Sequence, residues 1–377
     1  MHKETKEILL YGWFGENNLG DELLLRSAIQ MLQTYGNHLE ACVMGSRPAV
    51  VRRNHTGIKR VSASFYGSLR SLLQLIWHNP ISAITNFARC RCLIVVGGGA
   101  LSDWHRSSTR KLFFTINLFS RMKRPIYLMG VGAGPITNPE SQQEFCRVLS
   151  KASLITTRDK PSAGLLSSIG IDNVHPSNDL VFYSGISAEQ PEACHKVKKI
   201  GLVLAPVCMS SPAVYQTLVT EAGRLIRSLS EKYEVSLIPF QYEYDRGFLE
   251  QLDYDRSRVP ILYDADNIWK TVDYCREQDL IVGMRFHSLV LALLLHKYLI
   301  PIVYHPKSAA LCEEFGLGKY TSYIGDGDNW PVSNISAEHI QHSIEQIQKD
   351  PEIVALCSET LQRKINRNIE KEIIARL

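Results

Sequence analysis

The chain has 377 residues, enough for two domain cores, with an ordinary apolar content of 45% and a charged fraction of 21%. Its net charge of +4 is small and its basic residues are dispersed. That argues against a nucleic-acid partner, which would want a basic stripe with a motif, and suits an anionic small substrate or membrane surface better.

No uninterrupted apolar run approaches the length of a membrane span, and Gly12 and Gly15 break the N-terminal MHKETKEILLYGWFG before it could act as a signal peptide. The nine cysteines show no zinc spacing; the pair Cys90 and Cys92 has one residue between its members. Buried free thiols, no metal site and a reducing cytoplasm are the expectation.

In chain order, short β-branched runs alternate with longer amphipathic ones. Strands are expected over residues 7–12, 41–45, 93–97, 126–130 and 154–158, and helices over 21–35, 69–88 with a break at Pro80, 106–122 and 139–150. The pattern pauses over the polar stretch 184–199, which carries Pro191, and restarts with IGLVLAPV at 200–207. Strands follow at 235–239, 279–283 and 300–304, with helices near 212–232, 266–276, 288–296 and 308–315. Residues 336–375 read as helical and charged, capping the second domain or crossing back to the first. The fold class is therefore α/β: two Rossmann-like domains joined near residue 190, each a parallel sheet covered on both faces. The apolar stretch 68–91, flanked by arginines, reads as a pair of packing helices, with peripheral docking on a bilayer as the alternative.

Ligands of open parallel sheets collect outside the carboxyl ends of the strands. The loops there are GWFGENNLGDE, GGGALSDW, GVGAGPIT and TRDKPS in the first domain, and APVCMSSP, GMRFHS and YHPKS in the second. Two domains presenting such loops to each other would enclose a cleft.

After the first strand, Gly15, Asn18, Gly20 and Asp21 make a turn into a helix. Asp21 can cap that helix, or its free N–H groups and Asn18 can face a substrate. Gly97, Gly98 and Gly99 let the backbone approach a ligand closely, with Asp103 as a cap or a holder of an acceptor hydroxyl, and Gly132 belongs to a second such turn. Two glycine-rich turns favour a broad polar surface of the kind that receives a sugar, and a P-loop is excluded because no Lys-Ser/Thr pair follows.

Arg158 stands at a strand end before an Asp159 cap, with Pro161 in the first helical turn; it can pair with that aspartate or face a carboxylate or phosphate. Arg285 and His287, two apart, are expected on one side of an extended segment, with Ser288 capping the helix that follows. A cation, an imidazole and a helix start together suit an anion that must receive a proton. Lys307 could add a second cation, although a lysine in a loop is ordinarily just solvated.

The ordered set of loops resembles the polysaccharide pyruvyl transferase family. The matching text is Gly15, Asn18, Gly20, Asp21 and Glu22, then GGG with a later aspartate, GVGAGP, RDKPS, RFHS and YHPK, running from the first strand to about residue 317. Phe286 stands where the family usually has leucine, and His305 where it often has aspartate.

The resemblance implies a fold similar to glycosyltransferase type B. Its acceptor side would be residues 1–190 and its phosphoenolpyruvate side 191–345, with a C-terminal helix over 346–377. It implies transfer of the enolpyruvyl-derived group of phosphoenolpyruvate, as a ketal, onto hydroxyls of a cell-surface polysaccharide or its lipid- or nucleotide-linked precursor, with phosphate released. It also implies no metal and no cofactor beyond the donor, and a cytoplasmic protein working at the inner face of the membrane when the acceptor is lipid-linked.

On that reading Arg158, Arg285 and Lys307 bind the donor anion, His287 protonates its methylene carbon, and Asp21 or Asp103 takes the hydroxyl proton. The rivals are a nucleotide-sugar glycosyltransferase of the same fold, with Glu313 or Glu314 on the ribose, and a non-catalytic glycan-binding member.

Overall fold

The computed structural model describes residues 6–36, 38–63, 89–99, 101–103, 106–187, 196–206, 212–325, 331 and 333–377. The expected helix over 69–88 lies outside the described residues, as does all but the last three residues of the stretch 68–91 and the centre of the polar stretch 184–199. The chain divides into two units. Unit 1 comprises Met1–Glu16, Asp21–Gly185 and Lys364–Leu377; unit 2 comprises Asn17–Gly20 and Ile186–Arg363.

Unit 1 is built on a seven-stranded sheet: β1 (Lys6–Tyr11), β2 (Leu39–Gly45), β3 (Ile58–Ala63), β4 (Cys90–Val96), β5 (Ile126–Val131), β6 (Leu154–Thr157) and β7 (Val174–Pro176). Its order is β3-β2-β1-β4-β5-β6-β7 and every pairing is parallel. Strand order reverses between β1 and β4, in register at Leu9↔Leu93 and Tyr11↔Val95. The central strands are apolar on both faces, with Ile8, Leu9 and Leu10 all at 1% exposure or less, because helices cover both sides. Those helices include α1 (Leu19–Tyr35), α2 (Pro48–Asn54), α3 (Arg106–Arg121), α4 (Pro139–Leu149) and α5 (Lys160–Ser168). The expected Asp159 cap is present: its side chain accepts the Ser162 N–H at 2.7 Å.

Unit 2 is built on a five-stranded parallel sheet of β8 (Lys199–Val203), β9 (Glu234–Leu237), β10 (Leu280–Gly283), β11 (Tyr298–Val303) and β12 (Ser322–Tyr323), in the order β12-β11-β10-β8-β9. Here strand order reverses between β8 and β10. The helices are α6 (Pro212–Ser230), α7 (Tyr242–Leu249), α8 (Lys270–Arg276), α9 (Phe286–Leu294), α10 (Pro306–Glu314), α11 (Ala337–Ile347) and α12 (Pro351–Asn366).

The charged stretch 336–375 is helical, as three helices, and the single helix expected over 346–377 is the end of α11 followed by α12 and α13 (Ile369–Arg376). From Lys364 onward it belongs to unit 1, where buried polar groups hold it. Asn178 Nδ2 donates to the carbonyls of Lys364 at 3.0 Å and Arg367 at 2.8 Å, and Lys364 Nζ donates to Asn178 Oδ1 at 3.1 Å. Glu370, fully buried, accepts the hydroxyls of Thr156 at 2.5 Å and Ser177 at 3.0 Å.

Candidate functional site

In unit 2 the strand-order reversal places the loop after β10 at the position where parallel sheets bind ligands. α9 follows immediately. Eight of its nine residues are buried, as expected for a helix apolar on all sides; His287 is the exception. Gly283 has no Cβ because the Ser288 hydroxyl occupies that space: an added Cβ would lie 2.5 Å from Ser288 Oγ.

Arg285 is the residue preceding the helix, extended at φ −75° and ψ 132°. Its guanidinium contacts Asp245, which sits on α7 at 0% exposure, and lies 5.7 Å from the Tyr244 ring centroid. Asp245 also accepts the Gln241 N–H at 3.2 Å. Burial pushes the Asp245 carboxyl above the usual range, and the Arg285 charge offsets only part of that. Arg285 Nε is buried without a hydrogen-bond partner among the described residues. The guanidinium is thus fixed by a buried acid while retaining N–H donors for a carboxylate or phosphate.

His287 packs edge-on to Phe286, ring centroids 5.3 Å apart. It also lies against Gly20: a Cβ built there would be 2.1 Å from His287 Nδ1. The segment Asn17–Gly20 is tied to the rest of unit 2 by two hydrogen bonds and closed on itself by a third. Leu19 N–H donates to Phe240 O at 2.8 Å, Asn17 Nδ2 to Glu243 Oε1 at 3.3 Å, and Gly20 N–H to Asn18 Oδ1 at 3.0 Å. Lys307 stands after β11, the strand beside β10, and its N–H meets His305 Nδ1 at 3.3 Å.

Several sequence expectations are corrected here. Asp21 does not cap α1. The helix starts at Leu19, anchored by Phe240, and Asn18 makes the capping bond instead. Ser288 does not cap α9; its hydroxyl donates to the Arg285 carbonyl at 2.6 Å from inside the first turn. Arg285 and His287 do not share an extended segment, because the helix begins at Phe286, between them. Lys307 lies in the helix α10 rather than before it, and His305 is the cap.

The remaining candidates stand in unit 1. Gly15 is left-handed at φ +88° and gripped at both ends: its N–H donates to Glu22 Oε1 at 2.9 Å and its carbonyl accepts Arg47 Nε at 2.8 Å. The other Glu22 oxygen meets His55 Nε2 at 2.6 Å, with both side chains buried. Gly97, Gly98 and Gly99 form the turn after β4; the Gly98 carbonyl accepts the Gly132 N–H at 2.9 Å.

Gly132 lacks a Cβ because the Arg158 guanidinium lies there, 2.6 Å from where it would be. Arg158 is 7% exposed, with Asp159 at 3.6 Å and Asp179 at 3.8 Å. The ion pair with Asp159 is therefore present, and a second buried carboxylate is added. Asp103 Oδ2 accepts the N–H groups of Thr137 at 2.7 Å and Asn138 at 3.1 Å. Burial alone would raise its carboxyl, and those N–H groups outweigh it, so it sits below the usual range. Among the described residues one trio of conceivable metal ligands stands close together, Glu7, Cys42 and Cys90, all buried near the start of β1; Glu7 is ion-paired there with Lys59 and Arg60.

The family profile for polysaccharide pyruvyl transferase matches residues 18–306, most of the chain. The chain belongs to the polysaccharide pyruvyl transferase family. It is accordingly a transferase. No curated protein matches it in sequence.

Solved structures share the fold at low identity. One is a UDP-N-acetylglucosamine 2-epimerase, described as putative, from Listeria monocytogenes, with TM-score 0.62, 11% identity and coverage of 98% of this chain and 97% of that one. Another is MnaA of S. aureus in a structure with UDP, with TM-score 0.60, 13% identity and coverage of 98% of each chain. The spinosyn forosaminyltransferase SpnP has TM-score 0.54, 9% identity and coverage of 99% and 98%. The transferase thus has the α/β fold of type-B glycosyltransferases and these epimerases.

Sequence reasoning passed over Asp245 and Tyr244 of this family member. Both sit in FQYEYD, in the first turn of α7, which follows the carboxyl end of β9. Applying the rule of carboxyl-end loops to that strand would have found them.

Proposed function

We propose that this transferase moves the enolpyruvyl-derived group of phosphoenolpyruvate onto two hydroxyls of a saccharide. The saccharide would belong to a cell-surface polysaccharide or its lipid- or nucleotide-linked precursor, handled at the cytoplasmic side of the membrane. The observation that supports this most is one structural unit: Arg285 held by buried Asp245, and His287, the one unburied residue of α9, set against Gly20.

Phosphoenolpyruvate carries a carboxylate and a phosphate of about −1.5 to −2 charge. Arg285 and the start of α9 offer donors for such an anion, with Lys307 in the first turn of α10, the helix after the neighbouring strand. His287 gives a proton to the methylene carbon, leaving an oxocarbenium-like C2. A hydroxyl oxygen bonds to C2 and loses its proton to a base; Asp21, directly after Gly20, is our candidate. The C2–O bond to phosphate then breaks, phosphate leaves with the electron pair, and the second hydroxyl closes the ketal, again losing a proton. Arg158, buried between two carboxylates, is assigned to holding the Gly132 turn.

Thermal shift of the protein with phosphoenolpyruvate and with UDP-sugars, on wild type and Arg285→Ala, tests the donor. Stabilisation by phosphoenolpyruvate that disappears in the variant is expected. A shift with UDP-sugars alone, together with no phosphate release from phosphoenolpyruvate, would overturn the reading in favour of a nucleotide-sugar glycosyltransferase.

A further inference from the structure

Unit 1 exposes an aromatic residue that the donor chemistry does not use. Trp13 stands two residues past the end of β1 with 49% of its surface exposed, while its neighbour Phe14 is 1% exposed. Gly12 makes this possible. A Cβ there would meet the Phe14 ring at 2.3 Å, so the chain folds Phe14 inward and leaves the indole outside.

The place matters as much as the exposure. β1 and β4 are the adjacent strands between which the order of the sheet reverses, the crevice where open α/β sheets take their ligands. Across that crevice from Trp13 come Gly98 and Gly99. A Cβ built on either would meet no described atom within 4 Å; the Gly98 carbonyl accepts the Gly132 N–H at 2.9 Å. Lys111 of α3 holds the indole, its Nζ 5.6 Å from the ring centroid, a cation–π contact that also brings positive charge to the spot.

We infer that Trp13 is the stacking platform for the acceptor saccharide, at the crevice between β1 and β4, and that Lys111 favours an acceptor carrying a phosphate. A sugar ring has one face of C–H bonds, which packs on an indole, and a rim of hydroxyls, which the glycine peptide groups can hydrogen-bond. The inference rests on the saccharide acceptor proposed above but uses none of the residues assigned to the donor.

The test is a carbohydrate array bearing neutral saccharides and their 1-phosphates, probed with wild type, Trp13→Ala, Trp13→Phe and Lys111→Ala. Thermal shift with phosphoenolpyruvate is run on each. Wild type should bind at least one arrayed saccharide, Trp13→Ala should lose that signal ten-fold or more, and Trp13→Phe should keep most of it. Lys111→Ala should lose the phosphorylated forms selectively, and the phosphoenolpyruvate shift should be the same in all four proteins. Equal binding by Trp13→Ala, or no arrayed saccharide bound by wild type, would overturn the platform; undiminished binding of the 1-phosphates by Lys111→Ala would overturn the charge preference. Saccharide binding lost in Trp13→Ala without a phosphoenolpyruvate shift in any protein would leave the platform standing and remove the donor reading alone.

Discussion

Gly20 and His287 are placed so that a Cβ on the first would lie 2.1 Å from Nδ1 of the second. The glycine is the wall that sets where the imidazole stands. Gly20→Ala should therefore lower both stability and activity. Alanine is the better helix former by up to about 1 kcal/mol in this first turn of α1, but forcing a Cβ into the imidazole costs typically about 1–3 kcal/mol. The imidazole must move, and a displaced catalytic group costs on the order of a hundred-fold. Thermal unfolding and phosphate release on the same preparation check this; wild-type turnover in Gly20→Ala would mean that the imidazole can act from elsewhere.

His287→Ala should abolish turnover with the fold intact, as seen by an unchanged far-UV spectrum and unfolding midpoint. A well-folded, active His287→Ala would remove it as the proton donor.

Asp245 fixes Arg285 from beneath. Asp245→Asn keeps the shape and removes the charge, so the Michaelis constant for phosphoenolpyruvate should rise roughly ten-fold or more, about 1.4 kcal/mol or above. Asp245→Ala leaves the guanidinium facing an empty site and should lower stability by about 3–5 kcal/mol, the usual penalty for breaking a buried pair. Denaturant unfolding measures the second effect. An Asn variant with unaltered kinetics would show that Arg285 needs no such anchor.

Glu370 carries a pH dependence whose sign is fixed. Burial raises its carboxyl, and the Thr156 and Ser177 hydroxyls only partly offset that. The native state therefore holds the proton more tightly than the unfolded chain does. Its contribution is full below the ordinary glutamate value of 4.5 and is lost as pH rises through the folded value. Wild type should gain more stability than Glu370→Gln on going from neutral pH toward 4.5. Parallel unfolding midpoints for the two proteins across that window would exclude the effect.

What could be read beforehand and what could not differ in where the partners lie. LIVV and IYLMG announce central strands because both faces of the sheet are covered, so no polar residue interrupts them. β3, IKRVSA, carries Lys59 and Arg60, whose charges go to Glu7 on another strand, and nothing local marks it as sheet. α7, YEYDRGFL, buries its acid only because Arg285 comes 40 residues later. The start of α1 depends on the Phe240 carbonyl. Arg285 and His287 were legible because two polar residues stood against an otherwise apolar run. The burial of Arg158 was not, since it needs Asp179 and the missing Cβ of Gly132 as well as the neighbouring Asp159.

The return of Lys364–Leu377 to unit 1 has a consequence for synthesis. Asn178 also bonds to Tyr183 and Thr156 to the Gly130 N–H, but Asn178, Thr156 and Ser177 each have further partners among residues made after Arg363. Until the whole of Ile186–Arg363 has emerged, those further bonds cannot form. At about 5–20 residues per second the delay is roughly 10–35 seconds. Unit 1 is thus completed only after unit 2 has been made, and a nascent chain stopped short of α13 would hold a finished second sheet and a first unit still lacking part of its polar bonding.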